Sequence, residues 1–236
     1  MTKLSICPSG QNCLIHAMSA EDRALIEPHL KMCDLEQQQL LETADEPVET
    51  VYFPVSGIGS MIALGGQGRK IETGIFGREG MSGTAVVMDT GQSPQEIVMQ
   101  VGGRGFAIEA DILRDLIASR PSVQRILLRY VQVLATQTAH TALSNGQSKL
   151  EERLARWLLM CHDRIGGDEM ELTHDFLSIM LGVRRAGVTV GTHLLEGKGM
   201  IRATRGMIRI LDREGLEELA EASYGVPERE YERLMG

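Results

Sequence analysis

The stretch "LTHDFLSIMLGVRRAGVTVGTHLL", residues 172–195, constrains the fold more than any other. Thr173 is placed to cap a first helix with its hydroxyl, and Phe176, Leu177 and Met180 give that helix an apolar face. Gly182 supplies the residue with positive φ that lets the chain turn sharply into a second helix. Ser178 is the small residue expected where the helices cross, and Val188 the branched apolar anchor of the second. Steps of three and four put Val188, Gly191 and Leu195 inward, and Arg185, Thr189 and either Thr192 or His193 outward.

The segment that follows, "GKGMIRATRGMIRILD", alternates apolar and basic residues about an Arg205-Gly206 turn and reads as a β-hairpin. Ile201, Met207 or Ile208, and Ile210 or Leu211 would point inward; Arg202, Arg205 and Arg209 would point outward. Across 180–212, Arg184, Arg185, Lys198, Arg202, Arg205 and Arg209 are offset only by Glu196 and Asp212, in a chain whose net charge is −8. A local cationic surface on an acidic protein calls for an anionic partner. A helix–turn–helix with a basic wing suits double-stranded DNA. Arg185 can bond both O6 and N7 of guanine, Thr189 offers a hydroxyl and a methyl, and Arg184 with the start of the Thr173 helix can hold phosphates. The alternative is a helix pair with a solvated hairpin and no nucleic acid.

Upstream the character differs. Residues 14–45 place Leu14, Met18, Leu25, Ile26, Leu30, Leu35, Leu40 and Leu41 at roughly helical spacing and read as short helices. From about 46 to 110, short β-branched or aromatic runs separated by Gly-rich turns read as a β-sandwich or barrel. After Pro121, two helices are expected, broken near Asn145-Gly146. In the first, Val123, Leu127, Tyr130, Leu134, Gln137 and Thr141 step as an a/d seam and predict a dimer helix over 122–144; the alternative is a helix packed on its own β-domain. In the second, Leu150, Leu154, Trp157, Leu158 and Cys161 share one face. Residues 214–236, rich in Glu, read as a solvated helical tail.

The N-terminus has no apolar run of the kind a secretory leader carries, and no segment approaches the roughly 18 uninterrupted apolar residues of a membrane helix. A cytoplasmic protein with no membrane partner is expected. In that setting Cys7, Cys13, Cys33 and Cys161 read as free thiols. The sharper alternative is an iron–sulfur or redox-sensing site built from Cys7, Cys13 and Cys33, although their spacing matches neither common ferredoxin pattern. "GGQGR" at 65–69 lacks the lysine and hydroxyl residue of a phosphate-binding loop, and the six histidines form no H-x-x-x-H pair. No catalytic residue and no metal or other cofactor is expected, and the chain does not read as an enzyme.

Taken in order, "VYFPVSGIGS", "GREGMSG", the long helix and "LTHDFLSIMLGVRRAGVTV" resemble the Crp–Fnr family of bacterial transcription regulators over nearly the whole chain. The resemblance implies an α+β protein: a cyclic-nucleotide-binding-like β-roll, or jelly roll, sensor domain at 14–120, a dimerisation helix at 121–146, a winged helix–turn–helix at 147–213 and a C-terminal tail at 214–236. It implies a homodimer on a palindromic operator, with RNA polymerase as a further partner. Thr173, His174, Arg184, Arg185 and Thr189 fall at or beside the family's DNA-contacting positions, and Arg202 and Arg205 join them in the wing. Ala186 stands where many members carry a glutamate, and Gly191 where a larger apolar residue is usual.

Members that bind cyclic nucleotides hold the ribose with a Gly-Glu pair and the phosphate with an arginine about ten residues on. Here Thr84 takes the glutamate's place, and Ser93, Pro94 and Gln95 fill the arginine region, so a cyclic nucleotide is not expected in that mode; Arg78 and Arg104 are the cations that could still serve one. Other readings of the same fold are a ligand-binding, redox- or haem-sensing module with a non-nucleotide effector. His16, His29 and His140 are the candidate haem ligands.

Overall fold

The computed structural model describes residues 7–220 and 223–236. Asn12 caps α1 (Cys13–Ala17) and Ser19 caps α2 (Ala20–Ile26), each through its side-chain oxygen. Seven strands follow: β1 (Lys31–Leu35), β2 (Leu40–Glu42), β3 (Thr50–Pro54), β4 (Ile58–Leu64), β5 (Lys70–Phe76), β6 (Gln95–Val101) and β7 (Gly103–Glu109). The helix α3 (Thr84–Val87) lies between β5 and β6. They form two antiparallel sheets, ordered β1-β7-β3 and β2-β6-β4-β5. Val51, Phe53, Met61, Phe76, Ile97 and Ile108 project between them into one core, as period-two alternation requires.

The helical reading of 14–45 therefore holds only for its first part. Met32 and Cys33 pair with Phe106 and Gly105 of β7, and Leu40 pairs with Val98 of β6. Leu30, Leu35 and Leu40 sit at helical spacing, but hydrogen bonding to a distant strand overrides that local pattern.

α4 (Ala110–Ser119) leads into α5 (Pro121–Gln147), which starts on a proline at its first position, where no backbone donor is lost. The expected dimer seam turns inward. Val123, Leu127, Tyr130, Leu134 and Gln137 are all buried within one chain. Val123, Leu127, Tyr130 and Leu134 belong to the core of the β-roll. The Gln137 amide spans the backbone of Ile75, accepting from its N–H at 2.6 Å and donating to its carbonyl at 3.1 Å. The seam is real, but the surface it packs on is the chain's own sheet.

α6 (Leu150–His162) opens the C-terminal domain, followed by β8 (Glu169–Glu171), α7 (His174–Leu181), α8 (Arg185–Gly197), β9 (Ile201–Thr204), β10 (Met207–Ile210), α9 (Arg213–Ala220) and α10 (Val226–Met235). The wing is a three-stranded sheet, β8-β10-β9, with an extra strand that the hairpin reading lacked. The expected solvated tail is also wrong: Leu216, Ala220, Tyr224 and Tyr231 are buried. α9 packs on α6 and α10 on α5. These side chains, with Leu219, Leu234 and Met235 packed beside them, dock a segment that is otherwise rich in glutamate.

The two domains share a core. Ile58, Ile62 and Ile75 of the β-roll pack with Trp157, Leu158, Leu177 and Met180. Polar links run alongside. Arg164 Nε donates to Glu79 Oε1 at 2.7 Å, with both side chains buried. Trp157 Nε1–H donates to Glu72 Oε1 at 2.7 Å. Glu72 Oε2 and Gln100 Oε1 each lie 2.6 Å from the Ser60 hydroxyl.

Candidate nucleic-acid interface

The helix–turn–helix forms as the sequence implies. The Phe176 N–H donates to Thr173 Oγ1 at 3.2 Å, capping α7. Gly182 ends that helix at φ 59°, a left-handed conformation that costs a side-chain-bearing residue about 1 kcal/mol. Val188, Gly191 and Leu195 are buried as expected. The choice between Thr192 and His193 resolves: Thr192 is buried with its hydroxyl donating to the Val188 carbonyl at 2.8 Å, and His193 is exposed. A Cβ on Gly191 would meet Leu150 and Leu154 at 3.5 Å. Those two leucines of α6 occupy the space a larger side chain would claim, which explains the glycine.

Six of the seven predicted residues converge on α8 and the elements beside it. Thr173, His174, Arg185 and Arg205 line one groove between the start of α7, the outer side of α8 and the tip of the wing. His174 Nδ1 lies 3.3 Å from Thr189 Oγ1, so Thr189 borders that groove. The Thr189 hydroxyl also donates to the Arg185 carbonyl at 3.3 Å, and the residue is half-buried. Arg184 is the exposed N-cap of α8 and borders a second cleft, against Leu64, Arg69 and Lys70 of the β4–β5 hairpin. Arg202 is the outlier. It is exposed on the outer face of the wing, in register with Arg209, away from the groove.

The sequence treated all wing arginines alike; the structure separates them. Arg209 pairs with Glu169 of β8 across the sheet, so it is not available to a ligand as Arg205 is. Of the alternatives left open, Ile201, Ile208 and Ile210 are buried and Leu211 is exposed. One functional contact escaped the sequence reading: Glu196 Oε1 accepts the Ala203 N–H at 2.7 Å and ties α8 to β9. The single acidic side chain of α8 is thereby anchored to β9 through one oxygen while it lines the same groove as Arg185 and Arg205. No sequence signal marks that bond, because its partner is a backbone group.

On the β-roll, the space beside the 77–83 loop is narrow. A Cβ on Gly80 would fall 2.4 Å from the Tyr130 hydroxyl, which donates to the Met81 carbonyl at 3.0 Å. The Tyr231 hydroxyl donates to the Glu79 carbonyl at 3.0 Å from the far end of the chain. Tyr130, Gln137 and Tyr231 thus fill the space between α5 and the 77–83 loop. Arg78 donates to the Cys7 carbonyl, and Arg104 lies 3.4 Å from Asp34, so neither nearby cation faces that space.

The cysteines depart from expectation. Cys7 and Cys13 form a disulfide, which overturns the free-thiol reading for that pair and removes both from a three-cysteine metal site. Cys33 and Cys161 are free. The physical reason is local: the Cys13 N–H donates to the Arg78 carbonyl while Arg78 donates to the Cys7 carbonyl, bringing both cysteines onto one loop. His16 and His29 are exposed on separate short helices, and His140 lies on α5. Among the described residues no helix is long and apolar enough to cross a membrane.

Residues 152–219 match the Crp-like helix–turn–helix domain. Transcriptional regulator SdrP of Thermus thermophilus is 30% identical over 114 residues, 48% of this chain and 54% of that protein. The match thus spans about half of that relative's length. Among solved structures, a regulator of the Crp/Fnr family from Eubacterium rectale superposes with a TM-score of 0.70 at 20% identity, covering 88% of this chain and 97% of that one. FixK2 of Bradyrhizobium japonicum superposes with a TM-score of 0.68 at 18% identity, covering 80% and 96%. At these identities the structural likeness establishes the fold: β-roll, long helix and winged helix–turn–helix.

Proposed function

We propose that the chain is a transcription regulator of the Crp/Fnr type, in keeping with its Crp-like helix–turn–helix match and its fold, and that it is a cytoplasmic homodimer binding a palindromic DNA operator and carrying no catalytic role. One observation bears most of the weight. Arg184, Arg185 and Arg205 are exposed around the outer side of α8, and the nearby carboxylates Glu196 and Glu169 are engaged by the Ala203 N–H and by Arg209. A polyanion approaching α8 meets these exposed guanidinium groups. In this reading Arg185 reads guanine, Thr189 contacts a neighbouring base, and Thr173, His174, Arg184, Arg202 and Arg205 hold phosphates.

The dimer uses the other side of α5. Leu128, Val131, Ala135, Thr138 and Ala142 step by three and four, and each is exposed or half-buried in the single chain. This is a second a/d seam on the same helix; Val131 touches the β-roll core at its edge, and the exposed Leu128, Ala135 and Ala142 are open to the matching seam of a second copy. Such a pairing sets two α8 helices about 34 Å apart, one turn of DNA. The filled space beside the 77–83 loop favours a regulator that does not answer to cyclic nucleotides. RNA polymerase is its expected partner once on DNA.

The test is selection of bound duplexes from a random pool by the purified protein, followed by titration of the enriched sequence and a scrambled control. The expected product is a two-fold symmetric motif with half-sites one helical turn apart. Equal affinity for the enriched and scrambled duplexes would overturn the reading.

A further inference from the structure

Val190 is 57% exposed, the highest value among the large apolar side chains of the described residues. Scattered exposed valines are ordinary, but this one lies on α8, one turn beyond Ala186, which is exposed as well. Residues four apart stack on one helix face, so Ala186 and Val190 form a short apolar stripe beside Arg185. The stripe offers neither donor nor acceptor. Glu196, the one carboxylate of the helix, accepts from the Ala203 N–H, and the Ala186–Val190 stripe itself carries no acceptor for a cytosine amino group.

The major-groove edge of DNA presents one apolar group, the 5-methyl of thymine. The geometry points to Ala186 and Val190 as the residues that set half-site specificity by packing on two thymine methyls next to the guanine under Arg185. Four helical residues rise about 6 Å, close to two base-pair steps of about 3.4 Å, so the two methyls lie about two base pairs apart. The inference rests on the DNA-binding reading above and adds what the operator must contain.

Deoxyuridine tests it, because it keeps base pairing and removes only the methyl. Each thymine of the selected operator is replaced in turn, symmetrically in both half-sites, and affinity is measured for the wild type, Val190→Ala and Arg185→Ala. Burying one methyl corresponds to about fourfold in affinity, so a symmetric replacement should cost about fifteenfold at two thymine positions and little elsewhere. In Val190→Ala one of those positions should become insensitive; in Arg185→Ala both should stay sensitive. A wild type indifferent to deoxyuridine throughout, or a Val190→Ala profile unchanged from wild type, overturns the inference while selective binding stands. Loss of selectivity between operator and scrambled duplex in the wild type would overturn the DNA-binding reading instead.

Discussion

Glu72 is a carboxyl group sealed between the β-roll and the DNA-binding domain, and its proton should govern how firmly the two hold together. Burial pushes its pKa from the ordinary 4.5 up to about 7, against the opposing effects of bonds from Ser60 and Trp157. The hydrogen count agrees. Ser60 has one hydroxyl proton for two oxygens, Glu72 Oε2 and Gln100 Oε1, so a neutral Glu72 that donates to Ser60 completes the chain. Turning the Gln100 amide over, so that its unpartnered Nε2 donates to Ser60, completes the chain with an ionised Glu72, and Glu72→Gln separates the two arrangements.

Between pH 4.5 and about 7 the folded protein holds a proton that the unfolded chain has released, so stability falls as pH rises through that window. The difference of about 2.5 pKa units corresponds to about 3 kcal/mol, fully expressed above pH 7. Glu72→Gln keeps the acceptor for Trp157 and a permanent donor for Ser60, and it cannot ionise. Its stability relative to wild type should rise by about 3 kcal/mol between pH 4.5 and 8, read from urea transitions at fixed protein concentration. Trp157 is the only tryptophan and its indole touches the carboxyl. Its emission should therefore titrate near pH 7 in wild type and stay flat in Glu72→Gln. Parallel stability profiles together with a flat wild-type emission would refute the reasoning.

Three other outcomes are expected. Arg185→Ala should cost roughly 1–3 kcal/mol on the operator and relax preference at one base pair of each half-site, whereas Arg205→Ala should weaken cognate and scrambled duplexes alike and lower the salt slope by about one phosphate per subunit, in anisotropy titrations at several salt concentrations. Leu128→Glu with Ala135→Glu should give a folded monomer by analytical ultracentrifugation and far-UV circular dichroism; Leu127→Glu, which buries a charge in the β-roll core, should fail to fold. Cyclic AMP and cyclic GMP should leave the melting temperature and operator affinity unchanged, because Tyr130, Gln137 and Tyr231 crowd the space and the arginine that lines it, Arg164, is already paired with Glu79; micromolar binding by calorimetry would contradict this.

The parts legible in the sequence are those set by short-range chemistry. Thr173, Gly182 and Val188 announce the helix–turn–helix because cap, turn and anchor lie within sixteen residues, and the Arg205-Gly206 turn announces the wing. Long-range pairing is what escaped. Lys31–Leu35 carries no clean alternation, and only its partner Gly103–Glu109 makes it a strand. α5 carries two seams, and nothing in its own sequence says which meets the β-roll and which meets solvent. Tyr224 and Tyr231 stand alone among glutamates, so their burial depends on α5, α6 and the 77–83 loop. The Cys7–Cys13 bond was obscured by an argument from compartment, where the deciding fact was Arg78 holding both ends of one short loop.

The bond from Tyr231 to the Glu79 carbonyl joins groups 152 residues apart, and chain order turns that distance into time. At ribosomal rates of roughly 5–20 residues per second, residue 79 is made about 8–30 s before residue 231. Throughout that interval the 77–83 loop lacks its cover from α10, and for part of it Glu79 also waits for Arg164, 85 residues downstream. The β-roll is therefore the first domain to be synthesised and the last to be closed. A nascent chain halted short of Val226 would carry a complete helix–turn–helix on an unsealed β-roll.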